Sequence, residues 1–256
     1  MVNIKDVKKE VEVDYNEVED VMQLIFDKQK ELMEKYWTIN ERWSLHSPKV
    51  QASIRRFSKY TTEETSEAFE EIFKYINPYS DKGIEYKEAM NKKVVDVLKW
   101  DKLLHFQEEI ADAIHFFVEK MILAWIDDVD ILYQEIEDDL LKQKWKIVQI
   151  LKYKDLEDVV KNNNKTVDFK NITLWELYMY TWRFIYSVNI ADNFLRNKEW
   201  KHSNVQTNIP WFMKSLWQSL YHLTEFLLAS QIEEEQLLNL YILKHNVNKF
   251  RIKTKY

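Results

Sequence analysis

A single glycine, Gly83, in 256 residues restricts what this chain can fold into more than any other feature. Average usage of about 7% would supply roughly eighteen. Loops that cradle phosphate with repeated glycines, such as the P-loop and the dinucleotide-binding fingerprint, are therefore excluded, and hairpin turns lack their usual residue. Three prolines leave long stretches uninterrupted. We therefore expect an all-α helical bundle.

The remaining composition describes a protein with a large core. Hydrophobic residues make up 46% of the chain, with ten Trp, fourteen Tyr and thirteen Phe, which argues against disorder. The length suits one large domain or two intimately packed ones, and we expect a single domain over residues 1–256. The absence of cysteine rules out disulfides, thiolate zinc sites and cysteine nucleophiles, and it fits a cytoplasmic location.

Charge and hydropathy argue against a membrane segment and against broad nucleic-acid binding. The first residues lack the apolar run of a signal peptide, and no stretch approaches eighteen uncharged apolar residues, so no membrane segment is expected. The formal net charge of −6 argues against broad nucleic-acid binding. An anionic ligand would have to meet a local basic cluster or a metal ion.

Helical periodicity runs along almost the whole chain. A turn at 79–85 holds the glycine, 79–100 reads as a possible insertion, and 159–171 reads as a loop. Predicted helices cover about 14–36, 50–76, 86–126 with a break near 100, 128–158, 172–198, 211–230 and 233–250.

One carboxylate pattern occurs twice. Glu64-x-x-Glu67 and Glu109-x-x-Asp112 are each followed by apolar residues at helical spacing. On a helix, each pair lies on the flank of its apolar stripe, so two such helices packed stripe to stripe bring four carboxylates together. Like charges at that distance raise each other's pKa unless a cation neutralises them.

The oxygen ligands of these two pairs suit Mg²⁺, which keeps several waters and accepts phosphate oxygens. A solvated acidic face is the alternative for either copy alone. A di-iron bundle is disfavoured because no histidine stands three residues after a motif glutamate. His115, three residues after Asp112, reads as a packing residue.

The last helix carries a basic counterpart. Lys244, Asn248 and Arg251 fall at i, i+4 and i+7, with Tyr241 one turn earlier. An ammonium, an amide and a planar guanidinium on one face can bind a triphosphate. A solvated basic end that complements the helix dipole is the alternative.

Taken together, these motifs resemble the dimeric all-α dUTPase family of the all-α nucleoside triphosphate pyrophosphatases, which are related to MazG-type enzymes. EETSEAFEE (63–71) and EEIADAIHFF (108–117) are similar to the carboxylate helices of that family. YILKHNVNKFRIKTKY (241–256) resembles its closing motif, and LIFDKQKELMEKY (24–36) its opening helix.

The resemblance implies a homodimer that hydrolyses dUTP to dUMP and pyrophosphate with Mg²⁺-activated water. Glu64, Glu67, Glu109 and Asp112 would be the metal-binding and catalytic residues, with Glu64 the first choice to position or deprotonate the water. The implied substrate-binding residues are Gln29 for the base and Lys244, Asn248, Arg251 and Tyr256 for the phosphates.

The chain departs from that family's pattern at several positions. His245, Ile252 and Lys255 stand where the closing motif has Asn, Gln and Gly, and Leu32 stands where many members carry Asn. A dCTP or broader dNTP pyrophosphatase, and a catalytically inactive helical interaction protein, are therefore alternatives. The segment 187–202, which mixes amides, basic residues and Trp200, is either a wall for base or sugar or an exposed helix end.

Overall fold

The computed structural model describes residues 14–36, 44–76, 86–99, 101–124, 153–196 and 207–254. Within these ranges the chain forms α-helices, short 3-10 helices and no β-strand, which confirms the all-α prediction. The α-helices are α1 (Val21–Lys35), α2 (Pro48–Ile76), α3 (Tyr86–Met90), α4 (Val94–Val97), α5 (Asp101–Leu123), α6 (Tyr153–Asn163), α7 (Leu174–Ala191), α8 (Ile209–Ala229) and α9 (Glu234–Thr254). The 3-10 helices are Tyr15–Glu17, Phe169–Asn171 and Asp192–Phe194.

The helix boundaries match the periodicity in most places. The predicted break near residue 100 is real, because α3, α4 and α5 replace one long helix. The predicted loop 159–171 is wrong at its start, since α6 continues to Asn163. Val160 is buried, and the Asn164 amide donates to its carbonyl at 2.9 Å, which closes the helix later than its polar sequence suggests. The turn at 79–85 and most of the predicted helix 128–158 lie outside the described residues.

Local polar side chains start several helices. The Asp20 carboxylate accepts from the backbone N–H groups of Met22 and Gln23 and so caps α1. At the start of α7, Thr173 and Glu176 form a reciprocal capping box. These caps fix where α1, which lines the cleft described below, and α7 begin.

The turn between α8 and α9 is built without glycine. The N–H of Gln231 donates to Leu228 at 3.1 Å and that of Ile232 to Leu227 at 2.9 Å, the Schellman pattern. Gln231 occupies the left-handed position with φ of 61°, where glycine is the usual residue. Its side-chain Nε2 donates to the carbonyl of Phe169 at 2.5 Å, which anchors the turn that directs α9.

The long helices α2 and α5 run antiparallel and form the centre of the core. Phe57 stacks on Phe116 with ring centroids 6.2 Å apart, and Phe69 meets Phe106 edge-on at 5.9 Å, so residue numbers rise along one helix as they fall along the other. One cluster of buried apolar side chains draws on all the described α-helices. This register decides which polar residues of α2 and α5 face each other.

A buried lysine joins three helices behind this pair. Lys120 of α5 is fully buried and donates to the Ser58 hydroxyl, the Val188 carbonyl and the Asp192 carboxylate at 2.7, 2.6 and 2.9 Å. Its three donors are therefore satisfied, as a buried ammonium requires. Among the described residues, no helix is long and apolar enough to cross a membrane.

Candidate functional site

The antiparallel register brings three of the four predicted carboxylates together. Glu64 and Glu67 of α2 and Glu109 of α5 each place one carboxylate oxygen within 4.8 Å of the others. Ala68 and Ile110 beside them are buried, so the apolar stripes pack while the carboxylates lie on the flank. We call Glu64, Glu67 and Glu109 the acidic cluster.

Asp112, the fourth predicted ligand, is bonded to a lysine. Its Oδ2 accepts from the Nζ of Lys244 at 2.5 Å, and both side chains are partly buried. Lys244 comes from α9, which crosses α5 at this point. The structure therefore brings the predicted phosphate-binding lysine to the edge of the acidic cluster.

The electrostatics of the acidic cluster favour a bound cation. Burial, together with the charges of Asp112, Glu67 and Glu109, raises the pKa of Glu64 to about 7. Burial also raises the pKa of Glu109, while Lys244 opposes the rise. Carboxylate oxygens are hard ligands, so this set fits Mg²⁺ better than a thiophilic metal.

The acidic cluster opens into one end of a cleft of about 710 Å³ between α1, α2, α5 and α9. The other end is aromatic. The Tyr60 and Phe116 ring centroids lie 5.1 Å apart, and Phe57 packs against both rings. Tyr36 and Arg56 also line the cleft, and the Arg56 guanidinium lies 5.1 Å from the centroid of the Phe57 ring. Because α2 rises about 1.5 Å per residue, Phe57 and Glu67 stand about 15 Å apart along it.

Gln29 lies buried in the wall of the cleft and has two partners. Its Nε2 donates to Glu119 at 2.6 Å, and its Oε1 accepts from the Tyr241 hydroxyl at 2.5 Å. The Tyr241 ring stacks on His115 with centroids 4.1 Å apart and an interplanar angle of 9°. His115 Nδ1 lies 2.8 Å from the Ala111 carbonyl, and burial lowers the pKa of His115 to about 4, so the ring is neutral.

The remaining predicted binding residues divide between the cleft and elsewhere. Asn248 and Arg251 line the cleft on its α9 side, one and two turns beyond Lys244. Tyr256 and Lys255 lie outside the described residues. Ile252 is half-buried and does not line the cleft.

The segment 187–202 does not contribute a wall to this cleft over the part that the structure describes. Residues 187–196 are absent from the cleft lining, and 197–202 lie outside the described ranges. The exposed Asn189 amide donates to Thr62 at 3.2 Å and to the Ile185 carbonyl at 2.8 Å, as an ordinary residue near a helix end would.

Sequence reasoning missed several residues of the cleft. Glu119 is the most important, because it is a buried acid that contacts Gln29. It follows Asp112 by seven residues and His115 by four, so the same 3.6-residue period predicts it on the cleft face of α5. Phe57 and Tyr60 precede Glu64 by seven and four residues on α2 and follow the same rule.

A scan against protein-family models, a search of curated proteins and a search of solved structures each find no match to this chain.

Proposed function

We propose that this protein is a Mg²⁺-dependent deoxynucleoside triphosphate pyrophosphatase of the all-α type that hydrolyses dUTP to dUMP and pyrophosphate. The observation that carries the proposal is one cleft with an acidic cluster at one end, a basic helix face along one side and an amide with aromatic rings at the other end. A triphosphate with its metal, and a base on a sugar, need these three surfaces in this order.

The residues of the acidic cluster fit a divalent cation. Three carboxylates crowd together, and burial with the charges of the neighbouring carboxylates raises the pKa of Glu64 to about 7, although Lys244 opposes the rise. Bound Mg²⁺ supplies Lewis-acid chemistry, which polarises phosphate oxygens and makes a coordinated water more acidic. Glu64, Glu67 and Glu109 would hold it, with Asp112 beside them.

Protein side chains would supply proton transfer and charge stabilisation in the proposed hydrolysis. Water attacks the α-phosphorus, the bond from that phosphorus to the bridging oxygen breaks, and pyrophosphate leaves. Glu64, the first choice from the sequence, would position the water or accept its proton. Lys244 and Arg251 would stabilise the charge that grows on the leaving pyrophosphate. Asn248 would add a neutral donor between them.

The aromatic end with Gln29 suits a pyrimidine. Its rings offer stacking surfaces, and the amide offers one donor and one acceptor to a base edge. Cytosine also presents a donor and an acceptor, so dCTP is the second candidate substrate.

We further propose that the active form is a cytoplasmic homodimer, and α7 offers a surface for it. Trp175, Tyr178, Trp182 and Tyr186 follow each other at helical spacing and are 50%, 39%, 54% and 55% exposed. Half-exposed aromatic rings of this size offer roughly 300–500 Å² in total, about half of what each partner buries in a stable complex. A second copy of the chain is the fitting partner, because two such helices packed antiparallel set aromatic rings against aromatic rings.

The test is an assay of pyrophosphate release with Mg²⁺ and dUTP, dCTP, dTTP, dATP and dGTP. Preferential release from dUTP, lost on chelation of the metal, supports the proposal. Preferential release from dCTP would identify dCTP as the substrate of the same reaction. If no pyrophosphate is released from any of these nucleotides, the enzymatic function is refuted and the remaining alternative is an inactive helical interaction protein.

A further inference from the structure

The orientation of the Gln29 amide is decided by its two buried partners. A carboxamide can turn by 180° about its last bond, which exchanges its N–H and C=O groups, so its orientation follows from what surrounds it. An ionised carboxylate only accepts hydrogen bonds. The structure has the Nε2–H of Gln29 donating to Glu119 at 2.6 Å and the Gln29 carbonyl accepting from the Tyr241 hydroxyl at 2.5 Å, which is the orientation that an ionised Glu119 requires.

Tyr241 is compatible with this orientation and does not set it. A hydroxyl both donates and accepts, so it could pair with either end of the amide. Burial and the charge of Glu119 raise the pKa of Tyr241 well above 10, which keeps its proton on the oxygen to donate to the Gln29 carbonyl. Glu119 therefore determines which groups donate and which accept along the chain of hydrogen bonds from Tyr241 through Gln29.

An amide held in one orientation offers its hydrogen-bond donor and acceptor to a pyrimidine in a fixed order. After these two bonds, Gln29 retains one N–H and one carbonyl lone pair. At positions 4 and 3 uracil presents an acceptor and a donor, whereas cytosine presents a donor and an acceptor at the same two positions. An amide free to turn can pair with either base, and an amide held in one orientation pairs well with only one of them.

We propose that Glu119 is a positioning residue that fixes the orientation of the Gln29 amide and thereby sets the choice between uracil and cytosine, which the proposed function takes to be in favour of uracil. This inference rests on the proposed function, because it takes the base of the nucleotide to lie against Gln29. It adds a determinant of base choice that the carboxylate and basic motifs do not contain.

The experiment measures the dissociation constants of dUMP and dCMP by titration calorimetry in the presence of Mg²⁺. The parent protein should bind dUMP about tenfold or more tightly than dCMP, because a mismatched polar edge leaves buried groups unpaired. Glu119→Gln keeps the shape but can donate as well as accept, so its ratio of dissociation constants should fall towards one. The matched control is Glu157→Gln, another buried glutamate that pairs with Lys161 away from the cleft, and it should keep the parent ratio.

Tyr241→Phe provides a second variant that keeps the ring on His115 and removes only the hydroxyl. Because Glu119 still dictates the orientation, this variant should bind both nucleotides more weakly and still prefer dUMP. If Glu119→Gln does not fold, this variant decides, and loss of its preference would assign the determinant to Tyr241 and overturn the inference.

The remaining outcomes separate this inference from the proposed function. Unchanged preference in a folded Glu119→Gln protein would overturn the inference, as would a parent protein that binds the two nucleotides equally, prefers dCMP or binds neither. A parent protein that hydrolyses no nucleotide, yet prefers dUMP and loses this preference on Glu119→Gln, would overturn the proposed function and support the role of Glu119.

Discussion

Replacing Glu64 with glutamine tests whether the acidic cluster carries unneutralised charge. Burial and the neighbouring carboxylates raise the pKa of Glu64 from 4.5 to about 7. Ionising Glu64 in the folded state therefore costs free energy, with an upper limit of about 3 kcal/mol. Because the carboxylate is partly exposed, solvent screening reduces this cost to roughly 1–2 kcal/mol.

The pH dependence of the effect follows from the direction of the shift. The folded protein binds this proton more tightly than the unfolded chain, so the cost is absent below about pH 4.5, grows from 4.5 to 7 and is complete above 7. Glutamine is neutral throughout. Glu64→Gln should therefore match the parent at pH 4.5 and melt about 2–8 °C higher at pH 8, given the size of the chain.

The assay is thermal unfolding in metal-free buffer at pH 4.5, 6 and 8. Glu63→Gln is the matched control, because Glu63 is exposed on the same helix and pairs with Lys59 at 3.3 Å. It should not gain stability between pH 4.5 and pH 8. A Glu64→Gln protein that melts at or below the parent at pH 8, or that differs from it equally at all three values, would refute the electrostatic reasoning.

Four further outcomes are expected. Glu109→Gln should lower pyrophosphate release by orders of magnitude while leaving the melting temperature unchanged or raised; a large loss of stability would indicate a structural role instead. Lys244→Ala should raise the Michaelis constant for dUTP, and an unchanged constant would contradict its contact with phosphate. Burial lowers the pKa of His115 to about 4, so the free energy of unfolding should fall as the pH is lowered from 6.5 to 4. The fall should be smaller in His115→Phe. If urea titrations show the same dependence of the free energy of unfolding on pH in both proteins, this reasoning is refuted. Trp182→Glu should yield a monomer by light scattering if α7 forms the dimer, and an unchanged mass would exclude that face.

The sequence predicted the parts of the molecule that depend on local periodicity. The scarcity of glycine led to the all-α fold, and the helical spacing placed two carboxylate pairs on the flanks of apolar stripes. It could not show that Asp112 bonds to Lys244, because that ion pair depends on the angle at which α9 crosses α5. The helix α9 starts after the turn at Gln231, and a glutamine does not indicate the left-handed conformation that this turn requires.

Glu119 was missed for a related reason. In the sequence it follows an apolar run and resembles the first polar residue after a core segment. Its partner Gln29 is ninety residues away, on a helix whose register against α5 no local pattern contains. A buried acid has to be paired or hydrogen-bonded, so burial together with a distant polar partner is what distinguishes it from a surface residue.

The lack of glycine also determines how this cleft can hold an anion. Glycine-rich loops bind phosphate with backbone N–H groups that are fixed before the ligand arrives. Here the groups offered to an anion are long side chains, which lose rotamer freedom on binding. The ion pair between Lys244 and Asp112 reduces that loss, because the ammonium is already held at the edge of the acidic cluster. Under the proposed function, Asp112 would orient the Lys244 ammonium as well as lie near the proposed metal site, and Asp112→Asn should weaken nucleotide binding even in the absence of Mg²⁺.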